Sequence, residues 1–191
     1  RSPRGKVETL NATRACRMRI KGRMVPALPA VLHICLLLLW HSPASAQEGF
    51  SAANAYGTVR FLADEIGPRP MGSPAEQRAL AYAVSTFAAC GCDTAYLMPM
   101  RSPNGVNTTS GVAVGILRGA TARTIVIGGH IDSSSPEVPG ANDDASGAAC
   151  VMELARVLGK RQLQSTVVFA CFGGEEEGLL GSKHFVANYP Q

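Results

Sequence analysis

The sequence predicts an α/β fold: a mixed, mainly parallel sheet sandwiched by helices. Three observations carry this. After residue 110, apolar runs at 111–117, 124–129 and 164–172 alternate with helical patterns at 144–158 and 181–188, giving the order β-β-α-β-α. The β-branched runs at 124–129 and 164–172 read as strands buried on both faces. Three polar clusters then fall where strands end and helices begin: Gly-Gly-His-Ile-Asp-Ser at 128–133, Pro-Gly-Ala-Asn-Asp-Asp-Ala-Ser-Gly at 139–147, and Gly-Gly-Glu-Glu-Glu-Gly-Leu-Leu-Gly-Ser at 173–182. In open α/β sheets that edge is where ligands bind.

The 191 residues suffice for one domain. The net charge of +4 is misleading, because residues 1–23 hold eight basic side chains against Glu8 alone, and the remainder is net negative. A nucleic-acid partner therefore loses its electrostatic support. Residues 18–46 read as a secretory signal. Arg19, Lys21 and Arg23 form its basic start, residues 31–40 (with His33 inside) its apolar core, and Ala44-Ser45-Ala46 its cleavage site. The apolar run is short for a span of about 20 residues. The expected layout is an unstructured leader at 1–17, a signal peptide at 18–46 and a domain at 47–191 starting at Gln47. Localisation is expected to be secreted or periplasmic.

Residues 53–66 predict a helix with Tyr56, Val59, Phe61, Leu62 and Ile66 roughly on one face, ended by Gly67-Pro68-Arg69-Pro70. Ser73 then caps a second helix, with Pro74 at its first position and Glu76 completing a capping box; it runs to about Ala89. Residues 94–100 and 111–117 predict two strands of an antiparallel hairpin around the turn signal Ser102-Pro103-Asn104-Gly105. Asn107-Thr108-Thr109 matches a glycosylation sequon. Val151, Leu154, Ala155 and Leu158 mark the inner stripe of the helix at 144–158. Pro190 stops the last helix. Cys150 and Cys171 are expected to be buried thiols, while a disulfide from Cys90 or Cys92 stays open.

The polar clusters offer metal chemistry. His130 follows two glycines at a strand end, and Asp132 shares its face two residues on, placed to accept the ring N–H not given to a metal. In Asn142-Asp143-Asp144, one Asp can cap the following helix while the other bridges two metals. Glu175-Glu176-Glu177 follows a strand between glycines; adjacent carboxylates repel unless a cation lies between them. One can bind metal while its neighbour takes a proton from water.

Taken together, His130-Ile131-Asp132-Ser133, residues 140–147 and residues 175–182 resemble the co-catalytic di-zinc exopeptidases: secreted bacterial leucine-type aminopeptidases, with glutamate carboxypeptidases as relatives. The resemblance starts at Ile66-Gly67-Pro68-Arg69-Pro70-Met71-Gly72-Ser73 and runs to about Val186. It implies that His130 ligates one zinc, oriented by Asp132. Asp143 would bridge both zincs, its bond to Asp144 being cis; Glu175 would be the general base and Glu176 a ligand of the other zinc. Gly178, Leu179, Gly181 and Ser182 set that register; on the acids alone, Glu176 and Glu177 could equally be base and ligand. The family supplies a further Asp and His downstream of the glutamates. Residues 47–191 are therefore expected to be the N-terminal part of a catalytic domain, inactive or nearly so alone. His184 follows too closely to serve and is expected at the surface or packed.

The resemblance implies hydrolysis of N-terminal peptide bonds, peptide or protein N-termini as substrates, two Zn2+ ions, and no stable membrane span once the signal is removed. A carboxypeptidase of the same fold would share the catalytic centre. A glutaminyl-cyclase-like transferase lacks the second Asp of the Asp143-Asp144 pair. A receptor-like domain without metals is disfavoured by the competent residue at every ligand position within reach.

Overall fold

The structure, a computed structural model, describes residues 49–101 and 109–189, together with the backbone of residues 19–20 and 23–24. The chain divides into two units, Arg1–Gln47 and Glu48–Gln191. In the first, β1 (Arg19–Ile20) pairs antiparallel with β2 (Arg23–Met24). The rest of the expected leader and signal, the turn at 102–105, Asn107 of the sequon and Pro190 lie outside the described residues. Among the described residues no helix is long and apolar enough to cross a membrane.

The second unit is built on a four-stranded sheet in the order β3-β4-β6-β5, comprising β3 (Thr94–Arg101), β4 (Thr109–Leu117), β5 (Thr121–His130) and β6 (Ser165–Phe172). The sheet is mixed, as expected. Parallel pairing is confined to β5–β6, whereas β3–β4 and β4–β6 are antiparallel, so the described part is not mainly parallel. The reason is connectivity: β3 returns directly into β4 as a hairpin, while β5 reaches β6 by a crossover through a helix.

The helices are α1 (Ala52–Arg60), α2 (Pro74–Ala89), α3 (Ser146–Leu158) and α4 (Leu180–Asn188). The expected single helix at 53–66 is instead α1 followed by a wider π-type segment, Phe61–Ile66, closed by Gly67 N donating to Leu62 O at 3.1 Å. Alternation along the central strands divides the core. Ala113 and Leu117 of β4 and Val167, Phe169 and Cys171 of β6 pack with Leu80, Phe87, Val151 and Met152. Val112, Val114, Val168 and Ala170 pack on the opposite face with Phe185 of α4. Helices therefore cover both faces of the sheet, as the β-β-α-β-α order requires.

Two burial expectations fail. The run at 124–129 is not buried on both faces, since Ile125 and Val126 are 46% and 49% exposed. β5 is an edge strand with only β6 beside it among the described residues, and β-branched composition reports strand preference rather than sheet position. Cys150 is exposed, because it faces away from the inner stripe of α3; Cys171 is buried as expected. Cys90, Cys92, Cys150 and Cys171 are all free thiols.

One buried carboxylate ties α2 to the sheet. Ser73 Oγ accepts the Glu76 amide at 3.0 Å, but the Glu76 carboxylate does not return to Ser73 as a capping box would. Oε2 accepts from the Gly72 amide at 2.6 Å, and Oε1 from Ser110 Oγ at 2.6 Å. A Cβ at Gly173 would collide with Glu76 Oε1 and Ser110 Oγ, so this position admits only glycine. Glu76 is wholly buried. Burial raises its pKa to about 7 against the opposing bonds from Ser110 and Gly72.

The folded state thus holds the proton more tightly than the unfolded chain. The stability that the protonated form supplies is full below the ordinary glutamate pKa and is lost as pH rises through about 7, a loss on the order of 3 kcal/mol. Glu76→Gln should therefore flatten the fall in stability between pH 5 and pH 8. Thermal unfolding of both proteins across that range, in chelator, checks this: an unchanged wild-type-minus-variant difference would rule it out.

Candidate metal centre

The site forms where the parallel pair β5–β6 ends, with His130 opposite Phe172 in register. His130 is the last residue of β5. The chain leaving β6 turns at once into Gly173-Gly174-Glu175-Glu176, and the π-type segment Ala141–Ala145 delivers Asp143 and Asp144 ahead of α3. Three segments far apart in sequence thus meet at one sheet edge.

His130 Nε2 lies 2.9 Å from Asp143 Oδ1 and 3.7 Å from Glu175 Oε2. Ligand atoms of His130, Glu175 and Glu176 all fall within 4.8 Å of one another. His130 Nδ1 points the other way, 3.5 Å from Asp132 Oδ1, and is buried without a hydrogen-bond partner. At that length the contact is electrostatic rather than a formed hydrogen bond. Burial alone would lower the imidazole pKa. The Asp132 carboxylate, the Asp143 contact and the charge of Asp144 outweigh it and raise the pKa to about 9. Glu176 is also held above its ordinary value, first by desolvation and then by the charge of Asp143, with His130 partly offsetting both.

Asp132 does more than orient the imidazole, the one role the sequence implied for it. Fully buried, it accepts the Glu175 amide at Oδ1 (3.1 Å) and the Glu176 amide at Oδ2 (3.2 Å), which fixes the backbone carrying both glutamates. The neighbouring pair is also sorted. Asp144 Oδ1 accepts from the Gly147 amide at 2.8 Å and caps α3, while its Oδ2 accepts from the His130 amide at 3.2 Å. A Cβ on Gly147 would overlap that carboxylate. Asp143, joined to Asp144 by a cis peptide bond, is left facing the imidazole with its side chain 74% exposed. His184 lies on α4, where its Nδ1 is 3.2 Å from Asn188 Nδ2, and takes no part.

This donor set suits a divalent cation. It holds one imidazole nitrogen and carboxylates of Asp143, Glu175 and Glu176, with no Lys or Arg among them. Two donors bound at about 2.0–2.2 Å to one tetrahedral zinc sit roughly 3.3–3.6 Å apart, so His130 Nε2 and Asp143 Oδ1, now at hydrogen-bond distance, would separate by about half an ångström to admit it. Glu175 and Glu176 both enter the cluster, so position alone does not divide the roles of base and ligand between them. Sequence reasoning missed Arg69 and Glu76 as parts of the support. Arg69 was visible as a charged residue between two prolines, but its complete burial was not.

The comparisons with known proteins point the same way. Residues 112–191 match the profile of peptidase family M28. A probable zinc metalloprotease of Leptosphaeria maculans is 44% identical over 98 residues, covering 46% of this chain and 22% of that protein. The chain thus spans less than a quarter of that relative's length. A zinc aminopeptidase of Bacillus subtilis superposes with a TM-score of 0.65 at 19% identity, over 75% of this chain and 66% of that one. A glutaminyl cyclase of Tannerella forsythia gives 0.65 at 23%, over 75% and 58%. These two structures establish a shared fold, in which the residues matched to the family profile supply most of β4, all of β5 and β6, and the polar clusters.

The paired hydrogen bonds from the glutamate backbone to Asp132 are directly measurable. Asp132→Asn puts an N–H2 where one of two acceptors stood, and each lost bond is worth about 1–3 kcal/mol. Hydrogen exchange at the Glu175 and Glu176 amides should accelerate by about tenfold or more, with β4 amides unchanged. Equal protection in both proteins would show that Asp132 does not hold this turn.

Proposed function

We propose that the complete protein containing this chain is a zinc-dependent peptidase that removes residues from peptide N-termini, using two zinc ions and Glu175 as general base. The observation that carries this reading is the meeting of His130, Asp143, Glu175 and Glu176 at the ends of β5 and β6. The N-terminal sequence supports export to the periplasm or the cell exterior.

Zinc at this centre would polarise the scissile carbonyl and acidify the attacking water. His130 Nε2, Asp143 and Glu176 would hold it. To ligate, His130 must give up its Nε2 proton, while Nδ1–H stays directed at Asp132. Glu175 would accept a proton from the attacking water and return it to the departing amine nitrogen. The Asp132 bond to its amide keeps Glu175 at that station. The preference for aminopeptidase over carboxypeptidase action rests on the likeness to the zinc aminopeptidase of Bacillus subtilis, since the two activities would share this centre. The cyclase reading rests on the shared fold alone.

The test uses the complete protein and aminoacyl anilide substrates. Glu175→Gln should lower turnover by about 10²–10⁴-fold with bound zinc unchanged. Glu176→Gln should instead lose zinc. Retained turnover in Glu175→Gln would assign the base elsewhere, and cyclisation of N-terminal glutaminyl peptides without anilide cleavage would favour the cyclase.

A further inference from the structure

Arg69 lies outside the M28-matched residues and touches none of the candidate ligands, yet it is wholly buried. Its guanidinium is spent on backbone carbonyls. Nε donates to Ile131 O at 2.5 Å, and Nη2 to Gly140 O at 2.8 Å. Nη1 donates to Pro139 O, and more weakly to Leu62 O at 3.3 Å and Gly67 O at 3.4 Å. The Arg69 backbone is fastened as well: its N–H donates to Ser133 Oγ at 2.9 Å, and its carbonyl accepts the Ser133 amide at 3.2 Å.

These acceptors are not scattered. Ile131 is the single residue between His130 and Asp132. Gly140 opens the segment that carries Asp143, and its carbonyl also accepts the Ala145 amide at 3.1 Å, closing that segment. One planar cation therefore bridges the start and the end of the loop between His130 and Asp143. Its charge also acts on Asp132 and Asp144, the two carboxylates that brace the centre. The chain needs such a bridge, because His130 and Asp143 are thirteen residues apart and are joined by irregular backbone.

We infer that Arg69 is a positioning residue for the metal centre: its guanidinium sets the distance between His130 and Asp143 and thereby the affinity for zinc. The inference rests on the proposed metal site. Only a forked donor with several N–H groups on one rigid plane spans the carbonyls of Ile131, Pro139 and Gly140; the single ammonium of lysine does not.

The experiment measures the zinc dissociation constant of the complete protein by competition with a chromophoric chelator, alongside thermal unfolding. Arg69→Lys should weaken zinc binding by about 10–100-fold. Leu80→Ala, a core change in α2, supplies the control: it should lower the unfolding temperature and leave zinc affinity unchanged. Zinc affinity at the wild-type level in Arg69→Lys, or a loss matched by Leu80→Ala, overturns the inference. Should Arg69→Lys fail to fold, Ser133→Ala decides. It removes the hydroxyl that accepts the Arg69 N–H and so loosens the seat of the guanidinium; a zinc affinity lowered several-fold supports the inference and an unchanged one overturns it. A wild-type protein that binds no zinc at all would instead defeat the metal reading itself.

Discussion

The structure turns on a carboxylate that does not face the solvent. Asp132 sits at zero exposure just beyond β5 and spends each oxygen on an amide of the chain leaving β6. A buried carboxylate is tolerated only when its lone pairs are used and its charge is balanced. Here the balance comes from the His130 imidazole on one side and the Arg69 guanidinium on the other. The same arrangement has a geometric consequence. It holds the ends of two parallel strands at one level, so the segments leaving them must share a cavity. Asp144 repeats the device on the helix side, joining the His130 amide to the first turn of α3.

The outer half of the site does the reverse of what folding favours. Asp143, Glu175 and Glu176 are held close together around one imidazole, where like charges raise each other's energy. A fold that violates local electrostatics at one place while satisfying it around that place marks a functional site rather than a packing accident. The imidazole pKa, raised to about 9 by the surrounding acids, registers the same field. A proton partly neutralises the cluster, and a divalent cation would do so more completely.

Much of this was legible in the chain. The alternating apolar runs gave β4, β6, α2 and α3 within a residue or two of their observed ends, and the polar clusters fell at strand ends as read. His130, Asp132, Asp143, Glu175 and Glu176 do converge. What stayed hidden depends on position in three dimensions. The β-branched run of β5 looks the same in an edge strand as in a central one, and Cys150 is one residue from the buried Val151 on the same helix. Glu76 has the spacing of a capping box, yet its carboxylate turns inward to Ser110, a partner 34 residues away. Arg69 reads as a loop charge because no local pattern announces that backbone carbonyls will surround it.

Residue type therefore does not decide which acid can bind a cation; unused lone pairs do. Asp132 and Asp144 are chemically as able to ligate as Asp143 or Glu176, but their oxygens are already committed to backbone amides. Among the described residues the exposed Asp143 carboxylate meets the imidazole alone, while Glu175 and Glu176 are supported through their amides and accept no hydrogen bond from a backbone amide at their carboxylates. Bonds to backbone amides convert two acids into framework, and carboxylates left uncommitted at the rim keep three as donors. The division depends on glycine at Gly147, where a Cβ would overlap the Asp144 carboxylate and force it from its bond to the Gly147 amide.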